Sequence, residues 1–281
     1  SPVENNTKIR YQLSIFHEDL RSKIFAFQEG GIGKFSHQTN YEKQQLIGCD
    51  KFFQWSNLKK QRQTINFFLV KTYWIKKYEV NKNNKILLVL GSFRKHFFSL
   101  YEGHMPGYSN RHIELVSNFL DQFNEKEQKN ISIKGHKDFG FGERELFIYK
   151  FPAIRFYNNK LKNINFYNLL DKYELKIFTS DYTSNIQSFL INHPSIMLID
   201  KNKLPYNPIY KNEYKNLIDA NIYFSDPIKC YHHVCKILNN GISNWWFSKE
   251  VQYAKDKYLD RICRVSNNLE NEIRTALDKK L

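Results

Sequence analysis

Residues 130–143 read NISIKGHKDFGFGE: a short apolar strand, NISIK, running into a loop of glycines, cations and acids, GHKDFGFGE. Immediately upstream, residues 111–124 place Ile113, Val116, Phe119, Leu120 and Phe123 at helical spacing. Before that helix stands KILLVL (residues 85–90), apolar throughout, as in a strand buried on both faces. Downstream the alternation continues. Strands are expected at 154–157, 175–179 (LKIFT), 195–199 and 222–224, and helices at 166–173, 185–192, 214–220 and 227–239. Strand followed by helix from residue 85 to residue 240 predicts a parallel sheet covered on both faces, a Rossmann-type α/β fold. Such sheets bind ligands at the carboxyl ends of their strands. The loops after KILLVL, NISIK and LKIFT are therefore where chemistry is expected.

The first part of the chain is shorter in signal. KIFAFQ (23–28) is strand-like and runs into Glu29-Gly30-Gly31-Ile32-Gly33-Lys34. Residues 41–47 look helical, KFFQW (51–55) is a second strand, and 63–74 fits either helix or strand. A polar break, YEVNKNN at 78–84, marks a boundary. The expected organisation is an N-terminal α/β portion over 1–80, a Rossmann-like domain over 81–244, and a long charged helical tail over 245–281.

Of the 281 residues, 41% are hydrophobic and 16% aromatic, enough for a sizeable core and unlike a disordered chain. The net charge of +15 admits three partners: nucleic acid, an anionic membrane face, or an acidic small molecule. Lysines are spread (Lys76, Lys77, Lys82, Lys85; Lys126, Lys129, Lys134), with no arginine tract and no nucleic-acid motif. No signal peptide is recognised, and no apolar run approaches the ~20 residues needed to cross a bilayer. Cys49, Cys230, Cys235 and Cys263 are thus expected to be reduced thiols of a cytoplasmic protein. Cys230-Tyr-His-His-Val-Cys235 could be a zinc cluster, but it lacks a second pair at finger spacing. It reads equally as an amphipathic helix carrying Cys230, Val234, Cys235 and Leu238 on its apolar face.

Four loops hold candidate chemistry. Gly135–Glu143 places His136, Lys137, Asp138 and Glu143 near a strand end, with Gly140 and Gly142 between them. Histidine and lysine donate well to phosphate oxygens, and glycine lets backbone amides come close. Ser180-Asp181-Tyr182-Thr183-Ser184 stands where a strand meets a helix. One of its hydroxyls could cap that helix, and the exposed amides could hold a phosphate. Gly91-Ser92-Phe93-Arg94 offers a hydroxyl and a cation, without Walker spacing. Beyond it, His104 and Arg111 belong to a stretch read as facing an acceptor. The turn at Glu29, Gly30 and Gly31 resembles a dinucleotide fingerprint only loosely, but it puts a carboxylate at a strand tip.

In this order the segments resemble a family of transferases encoded in bacterial surface-carbohydrate loci. More distantly they resemble the capsule enzymes that transfer Kdo from a CMP donor. The resemblance rests on Glu29-Gly30-Gly31-Ile32-Gly33, on the strand and basic follow-on of residues 87–98, and on His136-Lys137-Asp138-Phe139-Gly140-Phe141-Gly142-Glu143. It also rests on Thr183-Ser184 leading to Pro194-Ser195-Ile196, and on Trp245-Trp246-Phe247-Ser248-Lys249-Glu250-Val251-Gln252. The chain departs from the family at Lys137, where proline usually follows the loop histidine, and at Glu29, where histidine usually precedes the glycines. The resemblance implies a GT-B arrangement, two Rossmann-like domains facing a cleft. The C-terminal one would be complete. The N-terminal one would be abbreviated, or the chain a piece of a larger protein.

It further implies a glycosyltransferase of surface polysaccharide or lipopolysaccharide synthesis, moving a sugar from a nucleotide donor, CMP-linked Kdo or another ulosonic acid being favoured. Gly30, Gly31, Ser92, Arg94, His136, Lys137, Glu143, Ser180, Thr183 and Ser184 would serve the donor, and His104 and Arg111 the acceptor. The reacting carboxylate would be Glu29 first, then Asp181, then Asp138. No metal or cofactor is expected, since there is no Asp-x-Asp motif. The expected partners are the donor, a glycan or lipid-linked glycan acceptor and the inner face of the inner membrane, with no nucleic acid. Rival readings are a non-catalytic nucleotide- or glycan-binding module, a basic nucleic-acid-binding protein, and a hydrolase or epimerase on the same fold.

Overall fold

The computed structural model describes Ile15, Glu18, residues 23–28, 48–55, 64–67, 82–91, 107–135, 142–157, 166–200 and 208–263, Ser266, and 268–278. Two parallel sheets organise them. The first has three strands in the order β1 (Phe25–Phe27), β2 (Lys51–Gln54), β3 (Thr64–Asn66). Alternation sends Phe25, Phe53, Ile65 and Phe67 into one cluster and Ile24, Ala26, Cys49 and Phe52 into another. The segment 63–74, open between helix and strand, is a strand at Thr64–Asn66 followed by buried Phe67; Gln63 and residues 68–74, like the helix expected at 41–47, lie outside the described residues.

The second sheet holds β4 (Ile86–Val89), β5 (Ile131–Lys134), β6 (Arg155–Tyr157), β7 (Leu175–Phe178), β8 (Ser195–Leu198) and β9 (Tyr223–Phe224). Their order in space is β6-β5-β4-β7-β8-β9, with every neighbouring pair parallel. Renumbered from its first strand this is 3-2-1-4-5-6, the doubly wound Rossmann order. The chain reverses direction across the sheet between β4 and β7. Residues of β4, β7 and β8 are buried on both faces, which is why their sequences are mostly apolar, interrupted by Lys176 in β7 and Ser195 in β8.

Helices cover both faces: α1 (Tyr108–Leu120), α2 (Glu125–Gln128), α3 (Glu143–Lys150), α4 (Phe166–Leu170), α5 (Thr183–Leu190), α6 (Lys211–Asp219) and α7 (Pro227–Asn240). One face of the sheet, with Ile86, Leu88, Ile133 and Ile177, packs against Val116 and Phe119 of α1 and Cys230, Val234 and Ile237 of α7. The other, with Leu87, Val89 and Phe178, packs against Leu169 and Leu170 of α4. The helix expected at 111–124 starts earlier, after Gly107 in the left-handed region (φ 79°). It stops earlier too, because Asn124 forms a capping box with Glu127 and opens α2. Residues 230–235 are helical, as the second of their two readings has it. Among the described residues no group of His, Cys, Asp and Glu is placed to hold a metal ion.

The tail needs correction. Residues 245–281 are not one charged helix but parts of three: α8 (Ile242–Trp246), α9 (Lys249–Ile262) and α10 (Leu269–Asp278). Ser248 breaks the run, its side chain accepting the Val251 amide to cap α9. Nor is the segment merely solvated. Trp246, Val251, Ala254, Tyr258 and Ile262 are buried with Ile186 and Phe189 of α5 and Tyr214 and Leu217 of α6. Trp55, just past β2, is in the same cluster.

Candidate functional site

In sheets of this order ligands bind in a crevice outside the carboxyl ends of the strands at the reversal, here between β4 and β7, and the residues that leave those strands are polar and tied together. Thr179 directly follows β7. Its amide donates to the Val89 carbonyl (3.1 Å), and its Oγ1 accepts the amide of Gly91, which follows β4 (3.0 Å). His112 of α1 brings its Nε2 to 2.7 Å from the same oxygen. Both side chains are buried. One residue before His112, Arg111 directs its Nε to Asp200 Oδ2 (3.4 Å), beyond the end of β8. The first turn of α1 thus braces the ends of three strands.

Past Thr179 the chain runs through Ser180 and Asp181, both buried, to Tyr182 and α5. The helix begins two residues earlier than its sequence suggests, so Thr183 and Ser184 lie in its first turn. Its N-cap is Tyr182, in extended backbone, with no side-chain cap bond. A helix start is electropositive and favours negative charge beside it.

Asp181 faces inward. It is 9% exposed, and Tyr214 donates its hydroxyl to Asp181 Oδ2 (3.2 Å). Around it burial holds the hydroxyls of Tyr108, Tyr182, Tyr214 and Tyr258 far above the ordinary tyrosine range, and the Asp181 charge pushes each of them further up. These four phenols stay protonated and can only donate or accept as neutral groups.

Glu143, expected at the donor, is the first residue of α3 and is buried with Phe147 on its inner side. Arg111, Ser180, Asp181, Thr183 and Ser184 are the expected residues that gather at the crevice. Glu29, Gly30, Gly31, Ser92, Arg94, His104, His136, Lys137 and Asp138 lie outside the described residues. Sequence reasoning passed over His112 and Thr179. Their signal was slight: a hydroxyl ending an apolar strand, and a histidine near the start of an amphipathic helix.

A family model described as LIC12162 family transferase matches residues 6–277. No curated protein matches. Among solved structures, a protein of Listeria monocytogenes described as a UDP-N-acetylglucosamine 2-epimerase aligns with TM-score 0.52 at 10% identity, over 98% of this chain and 80% of its own. Anabaena HepE in complex with UDP and glucose aligns with TM-score 0.50 at 10% identity, over 98% of this chain and 77% of its own. At that identity the likeness is one of fold: the chain has a GT-B-like architecture.

Proposed function

Since the chain belongs to the LIC12162 family of transferases, we propose that it transfers a glycosyl group from a pyrimidine-nucleotide donor to a surface-glycan acceptor. The observation that carries this reading is the carboxyl edge between β4 and β7, where Thr179 ties the two strand ends together and the chain enters α5, with Arg111 and Asp200 paired beyond β8. In the transfer an acceptor hydroxyl attacks the anomeric carbon, the bond from that carbon to the donor phosphate breaks, and the phosphate departs with the electron pair. Amides and cations that meet this growing negative charge lower the barrier. Thr183, Ser184 and Arg111 are assigned to it, together with Ser92, Arg94, His136 and Lys137. Arg111 thereby moves from the acceptor to the donor side. Glu29 keeps the role of reacting carboxylate and Asp138 that of its alternative. Asp181, engaged by Tyr214, is assigned to holding the turn before α5.

A pyrimidine base is favoured from two directions. The segment order resembles enzymes that use CMP-Kdo, and the two solved neighbours carry UDP in their descriptions. Thermal unfolding with UDP, CMP, GDP and ADP tests the assignment. UDP or CMP at about a hundredfold excess over its dissociation constant should stabilise the chain by ~2.7 kcal/mol. A response to a purine nucleotide alone, or to none of the four, would overturn it. Response to CMP and not UDP would carry the ulosonic-acid donor forward, and the reverse would remove it.

We further assign the acceptor to a lipid-linked glycan at an anionic membrane face. Among the described residues no helix is long and apolar enough to cross a membrane. Instead α3 turns Leu146, Ile148 and Tyr149 outward, the last 88% exposed, on a chain of net charge +15. Replacing Leu146 and Tyr149 by serine should weaken binding to phosphatidylglycerol-containing vesicles by roughly tenfold. Unchanged co-sedimentation of that variant with the vesicles would refute the assignment of α3.

A further inference from the structure

The crevice contains a clamp in which one histidine sets the relative position of two strand ends. We infer that His112 is a positioning residue for the donor site, acting through Thr179 on Gly91 and on the segment that leads into α5. The inference rests on the donor reading given above.

Three contacts converge on one oxygen. Thr179 Oγ1 receives the Gly91 amide at 3.0 Å and His112 Nε2 at 2.7 Å, and it lies 3.4 Å from the Val89 carbonyl. All three contacts are filled together when His112 Nε2–H donates to the threonine oxygen, because the single hydroxyl proton then goes to the Val89 carbonyl. The two lone pairs then meet Nε2–H and the Gly91 amide, and the hydroxyl loses its freedom to rotate. Gly91 immediately precedes Ser92 in the chain, one of the residues assigned to the donor, and Thr179 begins the turn that ends at Thr183 and Ser184. The end of β4 and the segment entering α5 therefore share a single buried hydroxyl as their joint. His112 fixes that hydroxyl from a helix on one face of the sheet. A displacement of about 1 Å at such a joint is enough to misplace donors around a ligand.

This role predicts a pattern that plain core packing does not. Gln can present a donor or an acceptor about where Nε2 lies, whereas Phe fills the space without either. In the full chain, His112→Phe should speed hydrogen exchange at the Gly91 amide by roughly tenfold, leave exchange at Leu88 and Ile177 unchanged, and weaken binding of UDP or CMP by about tenfold. His112→Gln should stay within about threefold of the parent on both measures. Thr179→Val keeps the volume and removes the joint itself. It should reproduce the effects of His112→Phe, with Thr179→Ser restoring them, so the test survives if the Phe variant fails to fold.

Exchange at Gly91 is read by NMR without ligand and decides the clamp alone; a Gly91 amide that exchanges at the parent rate in both His112→Phe and Thr179→Val overturns it. Faster exchange with unchanged nucleotide affinity overturns the positioning role. A parent chain that binds neither UDP nor CMP refutes the donor reading, and leaves the clamp to be judged on exchange.

Discussion

Trp246→Ala is expected to lower the stability of the folded chain by about 3–5 kcal/mol, the range for removing a large aromatic from a core. The indole is fully buried and packs against Phe189 of α5, with ring centroids 6.0 Å apart. Its Nε1–H is shared between the Asn192 carbonyl (3.0 Å) and the Asn192 side-chain oxygen (3.1 Å). Asn192 occupies the left-handed turn (φ 61°) that carries the chain from α5 toward β8. Gln252 donates to the Trp246 carbonyl (2.7 Å), and Lys255 reaches both Asn192 and Gln252 (2.8 Å each). The loss thus combines a cavity with a part-buried Asn192 carbonyl deprived of the indole donor, while the Asn192 side-chain oxygen keeps Lys255. Trp246→Phe separates the two, keeping most of the volume and costing about 1–2 kcal/mol. Trp245, only partly buried and bound to the Ala220 carbonyl at a longer 3.3 Å, should be the milder alanine site. Urea unfolding of the three variants measures the ranking. A Trp246→Ala loss below about 1 kcal/mol would show that the tail does not hold α5 and β8.

That network gives the paired-tryptophan signature a meaning its sequence did not disclose. The signature looks like a functional motif, yet Trp246, Ser248 and Gln252 close a structural knot. Other parts of the fold were legible because one local rule sufficed. ILLV and the IML of β8 read as strands because burial on both faces leaves an apolar run. The start of α7 read clearly because Asp226 caps it, accepting the amides of Ile228 and Lys229, and Pro227 opens it.

The misses share a different cause. Helix α3 escaped notice because only Glu143 and Phe147 turn inward while Leu146, Ile148 and Tyr149 face solvent, so its apolar spacing does not follow its buried side. The tail was misjudged because the charges of α9 stand between buried Val251, Ala254, Tyr258 and Ile262. Contacts that define the crevice join residues far apart in the chain. His112 meets Thr179 across 67 residues and Tyr214 meets Asp181 across 33. The break at 78–84 is likewise pinned from a distance, since Glu174 accepts the amides of Asn83 and Asn84 at 2.8 Å. Periodicity carries no record of such closures, so the loops could be named but not the residues that hold them.

Lys176→Met is expected to stabilise the chain at pH 7 by a few kcal/mol, about 1.4 kcal/mol for each pKa unit by which burial depresses the lysine, and to flatten the rise of stability with pH. Lys176 lies within β7, fully buried, with its Nζ bonded to His193 Nδ1. His193 Nε2 in turn lies 3.1 Å from Asp171 Oδ1 near the surface. Desolvation brings the lysine down to about 7 despite the pull of Asp171 and Glu174. Desolvation, with the lysine beside it, brings His193 down to about 2. When Lys176 is charged it donates to an unprotonated Nδ1 of the neutral histidine, whose ring proton is then on Nε2.

The direction follows from proton counts. Between about 7 and the ordinary lysine value of 10.5 the unfolded chain holds a proton that the folded chain has released, so stability climbs with pH through that window. For His193 the window runs from 6.5 down to about 2, and stability falls as acid is added. Methionine fills similar volume, has no charge to desolvate, and removes the upper window, while the His193 window, set first by burial, loses only the lysine's smaller share. The variant's advantage over the parent should therefore be largest at pH 7 and shrink steadily toward pH 10, while the acid limb stays. Urea unfolding of both chains across that range provides the test. A pH-independent difference would mean that the lysine keeps its ordinary proton affinity inside the sheet, held charged by Asp171 and Glu174 more strongly than burial opposes it.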